Sequence, residues 1–477
     1  IANTYCKKIY LTDDNPRNEN PQKIRNQIKI HIKKNKLKEI KSRKIAISQA
    51  IQELKSGDVL LVSGKGHETH QEYSRIIKKF SDREYIVRQI KIKNKNLFSN
   101  LKLNILSESV NLNFLKKKIR INKASINSKE IKKNDIFFAI KGKKKDGNIY
   151  SDEAIKRGAS LAIVNKKNNK NFEKKIKVKN TLKFLTENSY NIRKISNAKI
   201  ISITGSAGKT SLKELLSFAL KKFSSITYSK KSYNNKFGVP ISLFNLKKKD
   251  MFGIFEVGMN KKGEINYLTK NISPDLGIIT NISYAHIKYF KNLKEIAAAK
   301  SEMMNNIIQN GTIVLNKDDN YFNFLKNIAL KKRLKVISFS KNKSSADIFL
   351  KKIVKYKSNL KAIIKINNYD KSFIISNSLK PYVENLLASI SVISEFFNLK
   401  TVNEKLFFDF NLPISRGDFS KIKVGNKKLS LIDESYNSNP LSLKFAIENF
   451  DSLKSNNKRK NLFLGDMLEM GRFSKIL

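Results

Sequence analysis

The chain has 477 residues with 40 % apolar content, enough to fold but too long for one hydrophobic core, so about three or four domains are expected. The longest apolar runs are strand-sized, and a single cysteine, Cys6, excludes internal disulfides and cysteine-rich zinc sites. The net charge of +56 comes from Lys spread over every segment beside Asn and Ile, with no Trp, so a bias of the source reads better than nucleic-acid binding. The field still favours anionic ligands such as nucleotides. The chain starts at Ile1 with no signal-peptide pattern, and a soluble cytoplasmic protein is expected.

Residues 1–92 read as a first α/β unit. KKIYLT (Lys7–Thr12) predicts a strand that ends in Asp13-Asp14-Asn15-Pro16-Arg17. A helix follows with Pro21 at a favoured first-turn position, and SRKIAISQAIQELK predicts a second, amphipathic one. GDVLLVSG (Gly57–Gly64) reads as a buried strand running into Gly64-Lys65-Gly66-His67-Glu68. Ligands bind at strand ends in open α/β sheets, and these two turns together suit a zwitterion. Taken singly, Asp14 and Glu68 are more often turn and cap residues.

Residues 93–104 read as a polar linker, or a junction between two proteins. Residues 105–195 predict a small α/β unit, with strands at Asp135–Ile140 and Leu161–Val164 and a helix at Asp152–Arg157 closed by Gly158.

The stretch KIISITGSAGKTSLKELLSFAL (199–220) opens the central region, residues 196–412. A buried strand, a Gly turn and a helix starting at Lys209 make a phosphate cradle: Gly205 and Gly208 let N–H groups face one hollow, and the helix N-terminus adds partial positive charge. Lys209 is placed for the outer phosphates and Thr210 for Mg²⁺. The full Walker pattern also asks for Gly where this chain has Ile203. FGIFEVG ends a strand with Glu256, placed to hold Mg²⁺ on the same sheet edge; a helix-capping role is the alternative. LGIITNI leads to Asn281 and His286, one of four histidines, which by itself points equally to a structural role. Three alanines precede Lys300 and allow it to be drawn inward. PYVENLLASISVISEFF is a core helix carrying Asn385.

Residues 413–477 begin a last α/β unit. Ser415-Arg416-Gly417-Asp418 is a turn with a phosphate-binding candidate, Arg416. LSLIDESYNSNP puts Asp433 at a strand end, with Asn439 capping a helix whose first residue is Pro440. NLFLGDMLEMG reads as a further strand, and the unit is expected to be cut short.

In order, T-G-S-A-G-K-T, Y-N-N-K-F-G-V-P, F-E-V-G-M, T-N-I-S-Y-A-H, A-K-S-E-M, S-R-G-D and D-E-S-Y-N-S-N-P resemble the Mur ligase family, and over residues 105–477 its D-alanyl-D-alanine-adding members. D-N-P-R followed by G-K-G-H-E resembles the C-terminal domain of the members that add meso-diaminopimelate, where Asp14, Asn15, Arg17, Gly64 and Glu68 match amino-acid-binding positions. The ATP-binding domain of such an enzyme would stand before residue 1. The resemblance implies a multi-domain α/β fold with a P-loop central domain and Rossmann-like C-terminal domains, truncated at both ends. Residues 105–195 would then be the UDP-substrate domain, although Asn127-Ser128-Lys129 stands where the family usually has D-S-R.

The implied activity is ATP-dependent ligation of D-alanyl-D-alanine to UDP-N-acetylmuramoyl-tripeptide through an acyl phosphate, for peptidoglycan, by a monomer. ATP and Mg²⁺ are the implied cofactors. The nucleotide loop is Gly205, Ser206, Ala207, Gly208, Lys209, Thr210 and Ser211, with Asn281 beside it. Thr210, Glu256 and His286 are implied metal ligands, and Lys300 matches a lysine that the family carbamylates. Asn385 matches the adenine contact, Arg416 the γ-phosphate contact and Asp433 the ribose contact. Pro381-Tyr382 stands where H-N is frequent, which implies adenine stacking on Tyr382. A folylpolyglutamate synthetase, a basic nucleic-acid-binding protein and a ligase that binds without turnover are the alternatives.

Overall fold

The computed structural model describes residues 1–54, 58–65, 68–74, 76–93, 106, 119–142, 145–166, 172–413, 415–425, 427–436, 439–452, 460–467 and 469–471. The chain forms two compact units, the first built by residues up to 104 and the second by residues from 121 onward. Most of the 93–104 linker lies outside the described residues.

In the first unit, β1 (Ile9–Leu11) pairs in parallel with β2 (Leu37–Glu39). The helix Pro21–Lys29 connects them, capped by Asn20, whose side chain accepts the N–H groups of Gln22 and Lys23. Helix Arg43–Glu53 is capped by Ser42 and buries Ala46, Ile47, Ala50 and Ile51. The spacing i, i+1, i+4, i+5 is one helical face. β3 (His70–Tyr73) and β4 (Ile76–Lys79) form an antiparallel hairpin. The expected buried strand at 57–64 does not form: residues 58–63 have no strand pairing, and Val59 and Leu61 are 93 % and 83 % exposed. An apolar run becomes a strand only where a neighbour pairs its N–H and C=O groups, and none of the described strands lies beside it.

The second unit begins with a parallel four-stranded sheet of β5 (Ala124–Ser125), β6 (Asp135–Phe138), β7 (Ala159–Val164) and β8 (Lys175–Lys177). The helix Ser151–Lys156 ends as expected at Gly158, whose φ is +105°.

A nine-stranded sheet follows: β9 (Lys199–Thr204), β10 (Ile226–Tyr228), β11 (Phe252–Glu256), β12 (Leu276–Ile279), β13 (Thr312–Asn316), β14 (Lys335–Ser340), β15 (Ile348–Tyr356), β16 (Asn359–Ile366) and β17 (Tyr369–Ile375). Its order is β10-β11-β9-β12-β13-β14-β15-β16-β17, parallel up to β15 and antiparallel beyond. β9 connects to β10 on one side while its other neighbour, β12, connects onward to β13 on the opposite side, so the crevice at the carboxyl end of β9 is the topological switch point. The core lies between this sheet and two helices, Lys209–Lys221 and Val383–Phe396. Leu212, Leu215, Leu216 and Ala219 fix the first of these by a single buried stripe.

Beyond the sheet, β18 (Asp418–Val424) and β19 (Lys427–Asp433) form an antiparallel pair, and helix Pro440–Ser452 follows. Ser442 N–H donates to Asn439 Oδ1 at 3.0 Å, the expected cap. The strand expected in NLFLGDMLEMG does not form: residues 461–467 pair with no described strand, and Phe463 is 95 % exposed. None of the described helices is long and apolar enough to cross a membrane.

Candidate active site

The end of β9 and the start of the helix after it build the nucleotide loop. Gly205 has φ +150°, and a Cβ there would lie 1.8 Å from Thr280 Oγ1. Gly208 has φ +80° and is the left-handed N-cap of helix Lys209–Lys221. Both positions therefore need glycine. The loop is braced from β12: Ser206 N–H donates to the Asn281 carbonyl at 3.0 Å and Ala207 N–H to Asn281 Oδ1 at 2.9 Å. Thr280 Oγ1 donates to the Ala207 carbonyl at 2.6 Å, and Ser206 Oγ donates to the Ser283 carbonyl at 2.9 Å. Two of the loop's N–H groups are thus bonded to Asn281, while the N–H groups of the helix's first turn have no intrahelical acceptor.

Lys209 Nζ folds back over the loop and donates to the carbonyls of Gly205 (2.7 Å) and Ser206 (3.4 Å). Burial lowers its pKa, Glu256 opposing and Arg416 reinforcing the shift. Thr210 Oγ1 donates to Glu256 Oε2 at 2.7 Å, and Asn234 Nδ2 donates to Glu256 Oε1 at 2.8 Å. Glu256 is 1 % exposed at the end of β11, where Ser229 Oγ accepts its N–H at 3.1 Å. Ser211, the next residue of the helix, is buried.

His286 sits in the left-handed region at φ +58°, and its Nδ1 is hydrogen-bonded to the Glu469 carboxylate. Burial lowers its pKa; Glu469 opposes, while Lys209 and Lys300 push the same way. Lys300, on helix Leu293–Ser301, is 2 % exposed and has no hydrogen-bond or ion-pair partner among the described residues. Burial and the nearby Lys209 charge hold its pKa well below the ordinary lysine value. The alanine-rich approach indeed draws this lysine inward, with Ala297 and Ala299 buried.

Asn385 is buried against the loop: a Cβ on Gly208 would meet its Oδ1 at 3.1 Å. Tyr382 turns its hydroxyl to the Arg416 carbonyl and Glu434 Oε1, each at 3.0 Å. Asp433 accepts from Ser415 Oγ at 2.7 Å and from Ser435 N–H at 2.9 Å, and these bonds, those of Ser435 first, lower its pKa. Arg416 Nη2 donates to Ser232 Oγ at 3.4 Å. Ser232, Asn234, Tyr436 and Glu469 also reach this region; the last three stand within Y-N-N-K-F-G-V-P, D-E-S-Y-N-S-N-P and NLFLGDMLEMG, where nothing in the local pattern marks them.

Among the described residues, no three His, Cys, Asp or Glu side chains converge as a ready-made metal cage. The Thr210 hydroxyl and Glu256 carboxylate instead form a partial oxygen set, which suits Mg²⁺ when phosphate oxygens complete its shell.

In the first unit, the two candidate turns meet. Asn15 Oδ1 accepts Glu72 N–H at 3.0 Å, and its amide is hydrogen-bonded to Glu68. Gly64 (φ +115°) leaves room for Asp14, whose Oδ2 would lie 2.6 Å from a Cβ there. Asp14 Oδ1 is buried without a hydrogen-bond partner, and burial raises its pKa against Arg43 and Lys65. Arg17 departs from the expected cluster: its side chain is 70 % exposed, 3.9 Å from Glu72. The buried arginines are Arg25, paired with Asp13 and Glu39, and Arg43, paired with Asp82. Gly66 and His67 lie outside the described residues.

Comparison with known proteins accounts for this layout. The family model described as Mur ligase middle domain matches residues 203–393, Mur ligase family, catalytic domain matches 120–207, and Mur ligase, glutamate ligase domain matches 1–66. The chain is 33 % identical over 359 residues to the UDP-N-acetylmuramoyl-tripeptide–D-alanyl-D-alanine ligase of Rickettsia prowazekii, covering 74 % of this chain and 77 % of that one. It is 26 % identical over 359 residues to the Escherichia coli enzyme of the same name, covering 75 % and 77 %. The fold matches a crystal structure of MurF from Acinetobacter baumannii with TM-score 0.66 and 24 % identity, over 78 % of this chain and 80 % of that one. It matches MurF from Thermotoga maritima in complex with ADP with TM-score 0.60 and 25 % identity, over 74 % and 80 %. The chain belongs to the Mur ligase family.

Proposed function

We infer that the chain is an ATP-dependent peptide ligase that joins D-alanyl-D-alanine to UDP-N-acetylmuramoyl-tripeptide, a step of peptidoglycan precursor synthesis. The observation that carries this is the junction of the nucleotide loop with Glu256 through Thr210 Oγ1 at 2.7 Å, in a chain of this family. The reaction is phosphoryl transfer to the tripeptide carboxylate, then displacement of phosphate from the acyl phosphate by the dipeptide amine. It needs charge neutralisation and alignment, with no nucleophilic side chain.

Each side chain has a role in that scheme. The helix N-terminus and Lys209 hold the outer phosphates, and in doing so the Lys209 ammonium leaves the carbonyls of Gly205 and Ser206. Arg416 neutralises charge on the transferred phosphoryl group. Asn385, placed against Gly208, offers its amide to adenine, and Asp433 lies at the ribose end. Mg²⁺, held by Thr210, Glu256 and His286, would screen phosphate charge during transfer. Lys300, buried and unpaired, is the neutral amine that adds CO₂, losing a proton to become a carbamate with two further oxygen donors. In the first unit, Asp14, Asn15, Gly64 and Glu68 hold the ammonium end of an amino acid, and Arg17 swings in to its carboxylate. The protein works in the cytoplasm as a monomer.

Equilibrium binding of UDP-N-acetylmuramoyl-tripeptide in moderate salt, with UDP and duplex DNA as competitors, tests this reading. Saturable binding displaced by UDP and not by DNA is expected. A folded sample that binds DNA and ignores the tripeptide would overturn it.

A further inference from the structure

The last α/β segment reaches the nucleotide loop through a side chain that the scheme above does not use. The Tyr436 ring carries the Arg416 guanidinium, whose central carbon lies 4.0 Å from the ring centroid. The Tyr436 hydroxyl donates to Ser232 Oγ at 2.7 Å. Ser232 Oγ also lies 3.4 Å from Thr210 Oγ1 and 3.4 Å from Arg416 Nη2. The four side chains thus form one connected cluster. Arg416 has no carboxylate partner among the described residues, so a face and a hydroxyl, rather than an ion pair, set its direction.

We propose that Tyr436 is a positioning residue: it holds Arg416 over the nucleotide loop by stacking and latches it there through Ser232. This rests on the reading of Arg416 as the outer-phosphate contact. An arginine on a flexible stem would otherwise have to be ordered as the phosphate binds. Stacking fixes the plane of its fork, and the bond to Ser232 fixes the distance of the platform from Thr210. A guanidinium left unpaired by carboxylate keeps its full charge for the ligand. The latch therefore acts on the outermost phosphate and not on the nucleoside.

The test compares ATP with ADP, by calorimetric binding to the full chain. Tyr436→Leu removes platform and latch, and is expected to weaken ATP binding by about 3- to 30-fold while leaving ADP within about twofold. Tyr436→Phe keeps the platform, removes only the latch, and should fall between wild type and Tyr436→Leu. Ser232→Ala removes the latch and also the acceptor of Arg416 Nη2, and should weaken ATP binding at least as much as Tyr436→Phe. In an Arg416→Ala background, Tyr436→Leu should add almost nothing, because its effect passes through Arg416. Equal loss for ADP and ATP, or full additivity with Arg416→Ala, would overturn the proposal. The Phe and Ala variants are near-isosteric and keep the test decisive if the Leu variant does not fold. A wild-type chain that binds ATP but does not ligate leaves these comparisons intact. One that binds neither nucleotide overturns the functional reading itself, and this proposal with it.

Discussion

Gly205→Ala tests the geometry of the nucleotide loop most sharply. The new Cβ would lie 1.8 Å from Thr280 Oγ1, 3.0 Å from Thr280 Cβ and 3.1 Å from Thr280 N, where ordinary contact begins near 3.4 Å. The Thr280 backbone cannot retreat freely, since its N–H donates to the Thr204 carbonyl at 3.0 Å. Either the loop shifts or the Thr280 hydroxyl rotates out of its bond to the Ala207 carbonyl, and each displaces the loop from its bracing. A residue with a Cβ at φ +150° adds about 1–3 kcal/mol of backbone strain. ATP affinity should fall by about 10-fold or more. Thr280→Ala removes the hydroxyl and its bond to the Ala207 carbonyl, at a cost of about 1 kcal/mol. The double variant should recover the steric part of the loss and keep the torsional part. Calorimetric ATP binding, with thermal unfolding to verify folding, reads both effects. Gly205→Ala binding ATP within about twofold of wild type, or a double variant no better than the single one, would refute the reasoning.

Three further outcomes follow from the same structure. Arg193 donates to the Ile272 and Ser273 carbonyls and to Asp275, which keeps Lys199 and the Ile200 N–H as partners, so Arg193→Met should cost about 1.5–3 kcal/mol, read as a lowered midpoint in urea. Glu39 is held at a pKa of about 2 by Lys29 first, then Arg25 and Gln22. A depressed carboxylate pKa contributes stability that is full above the unfolded value of 4.5 and is lost as pH falls toward 2, so the first unit's melting point should drop through that window and Glu39→Gln should flatten the drop. Lys300→Met should abolish a carbamate signal seen after labelling with ¹³C-bicarbonate and reduce phosphate release by about 10²-fold or more.

Much of this architecture was legible because it is local. Gly205, Gly208 and Lys209 sit in one strand–turn–helix, and the cap Asn439 announces its helix by a side chain that accepts an N–H group three residues on. The apolar runs of β9, β11 and β12 are parallel strands buried on both faces, which need no alternation to be recognised. GDVLLVSG and NLFLG carry the same pattern, yet Val59 and Phe463 are exposed, because a strand also needs a neighbour and composition is silent about that. Asn281 was placed beside the loop only through the family resemblance, and Tyr436 reaching Ser232 was not placed at all: each joins segments distant in sequence through single polar side chains that leave no periodic trace. Arg17 was expected in the cluster and Arg25 carried no expectation; the pairing of Arg25 with Asp13 and Glu39 depends on the parallel β1–β2 register rather than on the turn.

The central claim is ligation, and the most direct measurement is product formation by the full chain. ATP, UDP-N-acetylmuramoyl-tripeptide and D-alanyl-D-alanine are mixed with Mg²⁺, and the mixture is resolved by mass spectrometry beside a phosphate assay. The account predicts UDP-N-acetylmuramoyl-pentapeptide, ADP and phosphate in equal amounts, each dependent on all three substrates and lost in Arg416→Ala. Phosphate release that ignores the tripeptide and the dipeptide, with no pentapeptide formed, would contradict it.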